Sequence, residues 1–289
     1  MKIHYLFGLT IAVSLVFSGC SQGKADGEST PQKDRVYTGM FYDDSHVLTV
    51  GYSGLVRRSV DGGKKWLGAQ NSSMCLYGCD ILDENTYIAT GNKHDVIISK
   101  NAGESWVHME DIGGSTAKGK SISFSDLRNG WISSKTWLGE TVDGGKSWTQ
   151  ASLPQGVSNI ETVCSPAPGT AYIVASSGEL FRTTDSGKNW AKLTAPFTTD
   201  KSVLKPLFAR DTQGIALRMH GEKGVAAVIA KNSKNQNSLL VSVTADGGKT
   251  WTEPKARVLS RIPLSVSVSP KDVVSVFSMD TVVSRYKAL

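Results

Sequence analysis

The sequence lacks any block of five or six like charges, and it lacks a stripe of alternating basic and aromatic residues. Its formal net charge of +6 is modest and scattered, so nucleic acid is not an expected partner. It also lacks a Ser-His-Asp arrangement and a glycine-rich phosphate loop. Its five histidines are dispersed, and its four cysteines match no zinc spacing. Those absences leave no expected metal or organic cofactor. The apolar run from Tyr5 to Phe17 falls short of what a transmembrane helix needs.

What that run does fit is export. It follows the short basic segment Met1 to His4 and ends in Phe17-Ser18-Gly19-Cys20. Small residues before a cysteine at this place resemble the lipobox of bacterial lipoproteins, with Phe17 standing where leucine is usual. The resemblance implies a signal peptide over 1–19, lipid on Cys20 and attachment to a membrane through that anchor. Ser21 after the cysteine points, within that family, to the outer membrane, facing periplasm or surface. Residues 20–34 are polar, with Gly, Pro and charge, and read as a flexible tether. The remaining 35–289 suffice for one large all-β domain, expected to act as a monomer.

With Cys20 spent on lipid, Cys75, Cys79 and Cys164 remain, enough for one disulfide in an oxidising compartment. A bend in "NSSMCLYGCD" brings Cys75 and Cys79 together. A straight strand holds them about 13 Å apart, beyond bonding reach.

The dominant signal is a repeated octapeptide: "SVDGGKKW", "SKNAGESW", "TVDGGKSW", "TTDSGKNW" and "TADGGKTW". Copies begin at residues 59, 99, 141, 183 and 244, giving intervals of 40, 42, 42 and 61. A period near 40 with short β-type runs between turn residues predicts four-stranded propeller blades. The long interval places a surplus in "RMHGEKGVAAVIAKNSKNQNS". After Trp251 only three strand-like runs follow, "PLSVSVSP", "DVVSVFSM" and "TVVSRYKAL". An open sheet edge invites pairing with other chains. Residues Arg35 to Thr38 are therefore expected to close the last blade. The expected fold is an all-β propeller of six four-stranded blades, or seven if the long interval conceals another.

The chemistry of the octapeptide explains its residue types. Asp61, Asp143, Asp185 and Asp246 are placed to accept backbone N–H groups in a turn, and Asn101 replaces them in the second copy. Ser59, Ser99, Thr141, Thr183 and Thr244 add a hydroxyl. Gly63, Gly103, Gly145, Gly187 and Gly248 supply a positive φ. Trp66, Trp106, Trp148, Trp190 and Trp251 are expected to bury about 200 Å² each between blades. The motif resembles the Asp-box of sialidases, sortilin-type receptors, xyloglucanases and photosystem II assembly-factor propellers. In those families it is structural and lies on the blade periphery. A motif that recurs once per blade and tolerates Asn101 cannot converge on one substrate.

Overall, the chain most resembles the photosystem II assembly-factor type. Asp126, Gly130, Trp131 and Asp143 to Trp148 in "FSDLRNGWISS…TVDGGKSW" carry the resemblance. It implies a non-catalytic scaffold that binds a protein or glycan and serves in assembly of a membrane or surface complex, with its ligand opposite the boxes or on the fifth-blade loops "HGEKG" and "KNSKNQNS". The alternative is a sialidase-like glycoside hydrolase or lyase. The Arg261-Ile262-Pro263 tripeptide follows the last box, whereas sialidases place theirs before the first. Asp43, Asp80 and Glu161 are candidate channel carboxylates for that alternative.

Overall fold

The computed structural model describes residues 35–70, 74–109, 118–197, 205–206, 214–278 and 282–287. The expected signal peptide over 1–19, Cys20 and the expected tether over 20–34 lie outside them.

Successive strands pair as antiparallel meanders. The first sheet holds β1 (Val36–Phe41), β2 (Val47–Gly51), β3 (Leu55–Ser59) and β4 (Leu67–Gln70). The second holds β5 (Leu76–Ile81), β6 (Tyr87–Gly91), β7 (Val96–Ser99) and β8 (Val107–His108). The third holds β9 (Ser121–Phe124), β10 (Gly130–Ser133), β11 (Leu138–Thr141) and β12 (Thr149–Gln150). The fourth holds β13 (Ile160–Ala167), β14 (Thr170–Ala175), β15 (Leu180–Thr183) and β16 (Ala191–Leu193). In the fifth, β18 (Ile215–His220), β19 (Lys223–Lys231), β20 (Asn237–Thr244) and β21 (Lys255–Val258) form the meander. There β17 (Lys205–Pro206) also pairs with β19. The last sheet holds β22 (Ser265–Val268), β23 (Val273–Phe277) and β24 (Val282–Lys287).

The protein is thus an all-β propeller with five four-stranded blades, not the six or seven expected. The last sheet has three strands among the described residues, and no N-terminal strand completes it. The residues assigned that task begin β1, which pairs with β2 in the first blade. The reason is hydrophobic: all six β1 residues are buried, so the strand belongs at the centre of the ring rather than on an outer edge.

The first strand of every sheet is innermost, and neighbouring inner strands pack on one another around the ring. The three-stranded sheet lies between the fifth and first blades. Phe41 on β1 stacks on Phe277 of β23, with ring centroids 6.1 Å apart. Gly39 permits this approach, because a Cβ there would sit 2.8 Å from the Phe277 ring. The cores lie between sheets. Met40, Leu48, Val50 and Val56 of the first blade pack with Leu76, Ile81, Tyr87 and Ile97 of the second, and equivalent clusters recur around the ring.

The surplus of the long interval is met in part by an extended hairpin, as that segment allows, and in part elsewhere. "RMHGEKGVAAVIAKNSKNQNS" is regular structure, running from β18 through β19 into β20. Most of the extra length falls between Leu193, ending β16, and Ile215, starting β18; a lengthened β19–β20 hairpin takes the rest.

Candidate functional site

Each octapeptide forms one hydrogen-bonded turn between the third and fourth strands of its blade. The hydroxyls of Ser59, Ser99, Thr141, Thr183 and Thr244 donate to Oδ1 of Asp61, Asn101, Asp143, Asp185 and Asp246 at 2.7–2.9 Å. The same hydroxyls accept the amides of Gly63, Gly103, Gly145, Gly187 and Gly248 at 2.8–3.0 Å. Oδ1 in turn accepts the amide four residues on, at 2.9 Å in all five. These bonds favour the ionised form. The Asn189 amide chiefly holds Asp185 down to about 2, and the Thr250 hydroxyl does so for Asp246. Burial opposes the charge of Asp143, but the Ser147 hydroxyl and amide outweigh it and hold that carboxyl also at about 2.

The octapeptide turn grips a second turn. Its fourth residue, in each copy, donates its amide to the hairpin joining the first and second strands of the same blade. The pairs are Gly62 to Ser45, Ala102 to Asn85, Gly144 to Arg128, Ser186 to Gly169 and Gly247 to Glu222, at 2.8–2.9 Å. Both sets of turns therefore lie on one end of the ring, the turn side. The tryptophans stay partly exposed rather than vanishing between sheets. Trp190 meets Trp131 edge-on with centroids 6.4 Å apart, and Trp251 packs on Leu180 and Leu193. Trp66 packs against the cluster of Phe41, Val47 and Phe277, which joins the first blade to the three-stranded sheet.

A second repeat went unread in the sequence. Asp43, Asp83 and Asp126 open the first hairpins of three successive blades, each accepting the amides two and three residues on at 2.7–2.9 Å. Burial opposes the charge of Asp126, but the Arg128 amide and Asn129 side chain outweigh it and keep the carboxyl below its ordinary range. The spacing of "FYDDSH", "ILDENT" and "FSDLRN" carried this signal beside the octapeptides.

Inside the ring, two buried ion pairs bridge inner strands. Lys120 pairs with Glu161 near the start of β13, and Ser176 donates to the same carboxylate at 2.7 Å. Nearer the turn side, Arg218 of β18 pairs with Asp80 of β5 at 2.7 Å. Asp80 also accepts the Phe124 amide from β9 at 2.9 Å, and Arg218 Nε donates to Val268 O of β22 at 3.4 Å. Four inner strands thus meet at one salt bridge. Above it, on the turn side, opens a cavity of about 270 Å³, with Arg218 in its lining. Phe124, Leu127, Pro166, Met219 and Pro270 give it apolar walls, and Asp83, Asp126 and His220 are its titratable groups beside Arg218.

The three carboxylates singled out by sequence are kept apart by different partners. Asp80 is engaged by Arg218 and Glu161 by Lys120, while Asp43 binds the His46 ring at 3.1 Å and has Lys271 at 3.6 Å. The Cys75–Cys79 bond is not formed, since Cys79, like Cys164, is a free, buried thiol. Cys79 lies in β5, whose straight strand geometry disfavours a local bridge to Cys75. Among the described residues, no cluster of three or more His, Cys, Asp or Glu could hold a metal ion.

The family described as Sortilin, neurotensin receptor 3 (Sortilin-Vps10) matches residues 134–276. No curated protein matches the chain. Among solved structures, YCF48 bound to D1 peptide is 19% identical, covering 74% of this chain and 67% of that one, with a TM-score of 0.47. An ancestral GH74 enzyme is 18% identical with a TM-score of 0.52; 84% of this chain aligns to 34% of that one, about a third of its length. The RRP9 WD40 repeats are 9% identical with a TM-score of 0.59, covering 84% and 86% of the two chains. At these identities the likeness to GH74 and RRP9 establishes one thing, that this chain folds as a β-propeller.

Proposed function

We propose that the chain is a non-catalytic protein of the cell envelope whose propeller binds a protein partner at the turn-side mouth of the ring. The observation that carries this reading is the cavity over Arg218 and Asp80. It is a concave site with apolar walls and few polar groups, at the point where several blades converge. The octapeptide turns, read as Asp-boxes, serve as fasteners beside it. The export signal at residues 1–19, with Cys20 as anchor, supports placement in the envelope, and assembly of a surface complex is the role that suits such a scaffold.

A glycosidase needs two carboxylates free to act on opposite sides of a bond. Engagement of Asp80, Glu161 and Asp43 by separate basic groups favours the binding reading over that one. The test is capture of a partner from native envelope by the full chain, set beside Leu127→Arg, which blocks the mouth from an exposed position. A protein held by the wild type and lost from the variant is the expected result. Turnover of a fluorogenic glycoside, abolished by Asp43→Asn or Glu161→Gln in a folded chain, would overturn it.

A further inference from the structure

The chemistry of the cavity specifies more than a protein partner. Its volume of about 270 Å³ lies below the usual range for whole small-molecule ligands, which begins at about 300 Å³, and suits one large side chain. The walls formed by Phe124, Leu127, Met219 and the two prolines are apolar. Two polar groups break that lining at depth. One is the Arg218 guanidinium. The other is Ser165, whose hydroxyl has no hydrogen-bond partner and is closed off from solvent, so a rotation about its Cα–Cβ bond has to turn it into the cavity. A buried hydroxyl without a partner is costly, and the cost is removed when a ligand supplies the missing bond.

The mouth has the opposite character. Asp83 and Asp126 carry two negative charges there, and each is fixed by amides of its own turn. Arg218 adds no net positive charge, since Asp80 neutralises it at 2.7 Å. His220 is held by Asp272 at 3.3 Å. The entrance therefore attracts cations, while the interior accepts a flat apolar body ending in a polar atom.

We infer that the turn-side cavity receives a tyrosine side chain presented by a basic segment of the partner protein. The ring packs against Phe124, Leu127 and Met219, the phenol oxygen bonds to Ser165 and Arg218, and flanking lysines or arginines face Asp83 and Asp126. Tyrosine combines apolar area with a polar tip and few rotatable bonds, which suits such anchoring. This rests on the binding reading above and names the partner's chemistry.

The experiment titrates the full chain with fluorescein-labelled nonapeptides, each with one central residue between paired flanking residues. Central tyrosine with lysine flanks is compared with central phenylalanine, with central serine and with glutamate flanks. The expected order places the tyrosine–lysine peptide first, tighter than the glutamate-flanked peptide by on the order of tenfold. Asp83→Asn with Asp126→Asn keeps the turn acceptors and removes the charge, so it should abolish the preference for lysine flanks and its salt dependence. Ser165→Ala should reduce the preference for tyrosine over phenylalanine, leaving the part that Arg218 supplies, while the far-ultraviolet circular dichroism is unchanged. Equal binding of tyrosine and phenylalanine peptides to the wild type, or equal binding of lysine- and glutamate-flanked ones, overturns the inference. A partner crosslinked at the mouth without this selectivity would overturn it and leave the binding reading standing. Absence of any partner at the mouth would remove both.

Discussion

Arg218 and Asp80 lie on strands from opposite parts of the chain, yet their side chains meet at 2.7 Å with 8% and 2% of their surfaces exposed. The pair links the second and fifth blades across the interior of the ring and gathers β9 and β22 through the Phe124 amide and the Val268 carbonyl. A buried pair of this kind contributes little net stability, because desolvation of both ions offsets their attraction. Its removal one partner at a time is another matter.

Arg218→Met should leave Asp80 as an uncompensated buried charge and cost about 3–5 kcal/mol in urea unfolding. Asp80→Asn keeps an acceptor for the Phe124 amide but strands the guanidinium. The double variant should lose much less than the sum of the two singles, giving a coupling energy of about 1–3 kcal/mol. Strict additivity would mean that the two groups do not act as a unit.

Acid should weaken the blade turns through their aspartates. Asp143, Asp185 and Asp246 are held at about 2, below the ordinary 3.8. A depressed carboxylate adds stability that is complete above the unfolded value and is lost as pH falls through the folded one. The melting temperature should therefore drop between about pH 4 and pH 2. Replacing all three by asparagine, as Asn101 stands in the second copy, should flatten that drop. A wild-type acid profile in the triple variant would separate acid sensitivity from these turns.

The two left-handed positions of the octapeptide turn should differ in tolerance. Ala102 and Ser186 already occupy the first at φ 55° and 59°, where Gly247 has only the Tyr172 hydroxyl within reach of a new Cβ, at 3.7 Å. Gly247→Ala should cost about 1 kcal/mol. At the second position a Cβ on Gly187 would come 2.8 Å from that of Ala151, so Gly187→Ala should cost about 2–4 kcal/mol through strain and overlap together. Equal unfolding midpoints for the two variants would contradict the packing drawn for the turn.

Thiol chemistry tests the placement of the cysteines. Burial pushes Cys79 well above its ordinary range and Cys164 up to about 11, the latter against the opposing pull of Arg218. Both should resist alkylation in the native state and react after unfolding. The lipoprotein reading predicts a diacylglyceryl adduct on Cys20 in the mass of the mature chain; a mature mass without that adduct would remove the anchor.

How much of this could be read in advance follows from the range of each interaction. The octapeptides were legible because their bonds close within five residues, from Thr141 to Asp143, Gly145 and Ser147. Their side of the ring was not, since it depends on the hairpins they grip. The last sheet was misread because it has no octapeptide to mark a fourth strand, and the open-edge argument drew Arg35 to Thr38 away from the ring centre, where burial puts them. Asp80 drew attention as a channel carboxylate, but Arg218 was read as part of a polar insertion. Its partner stands 138 residues earlier, and local pattern carries no trace of that pairing. Of the two places expected for a ligand, the cavity does not open opposite the octapeptide turns, while His220 of the "HGEKG" loop lines it.

The most direct test of the binding reading is site-specific photocrosslinking in the native envelope. A benzophenone side chain at Leu127, exposed at the cavity mouth, is compared with one at Val107, exposed on the outer strand β8. The account predicts a discrete protein adduct from position 127 and none from 107. An adduct from 107 alone would place the partner on the outer rim and contradict it.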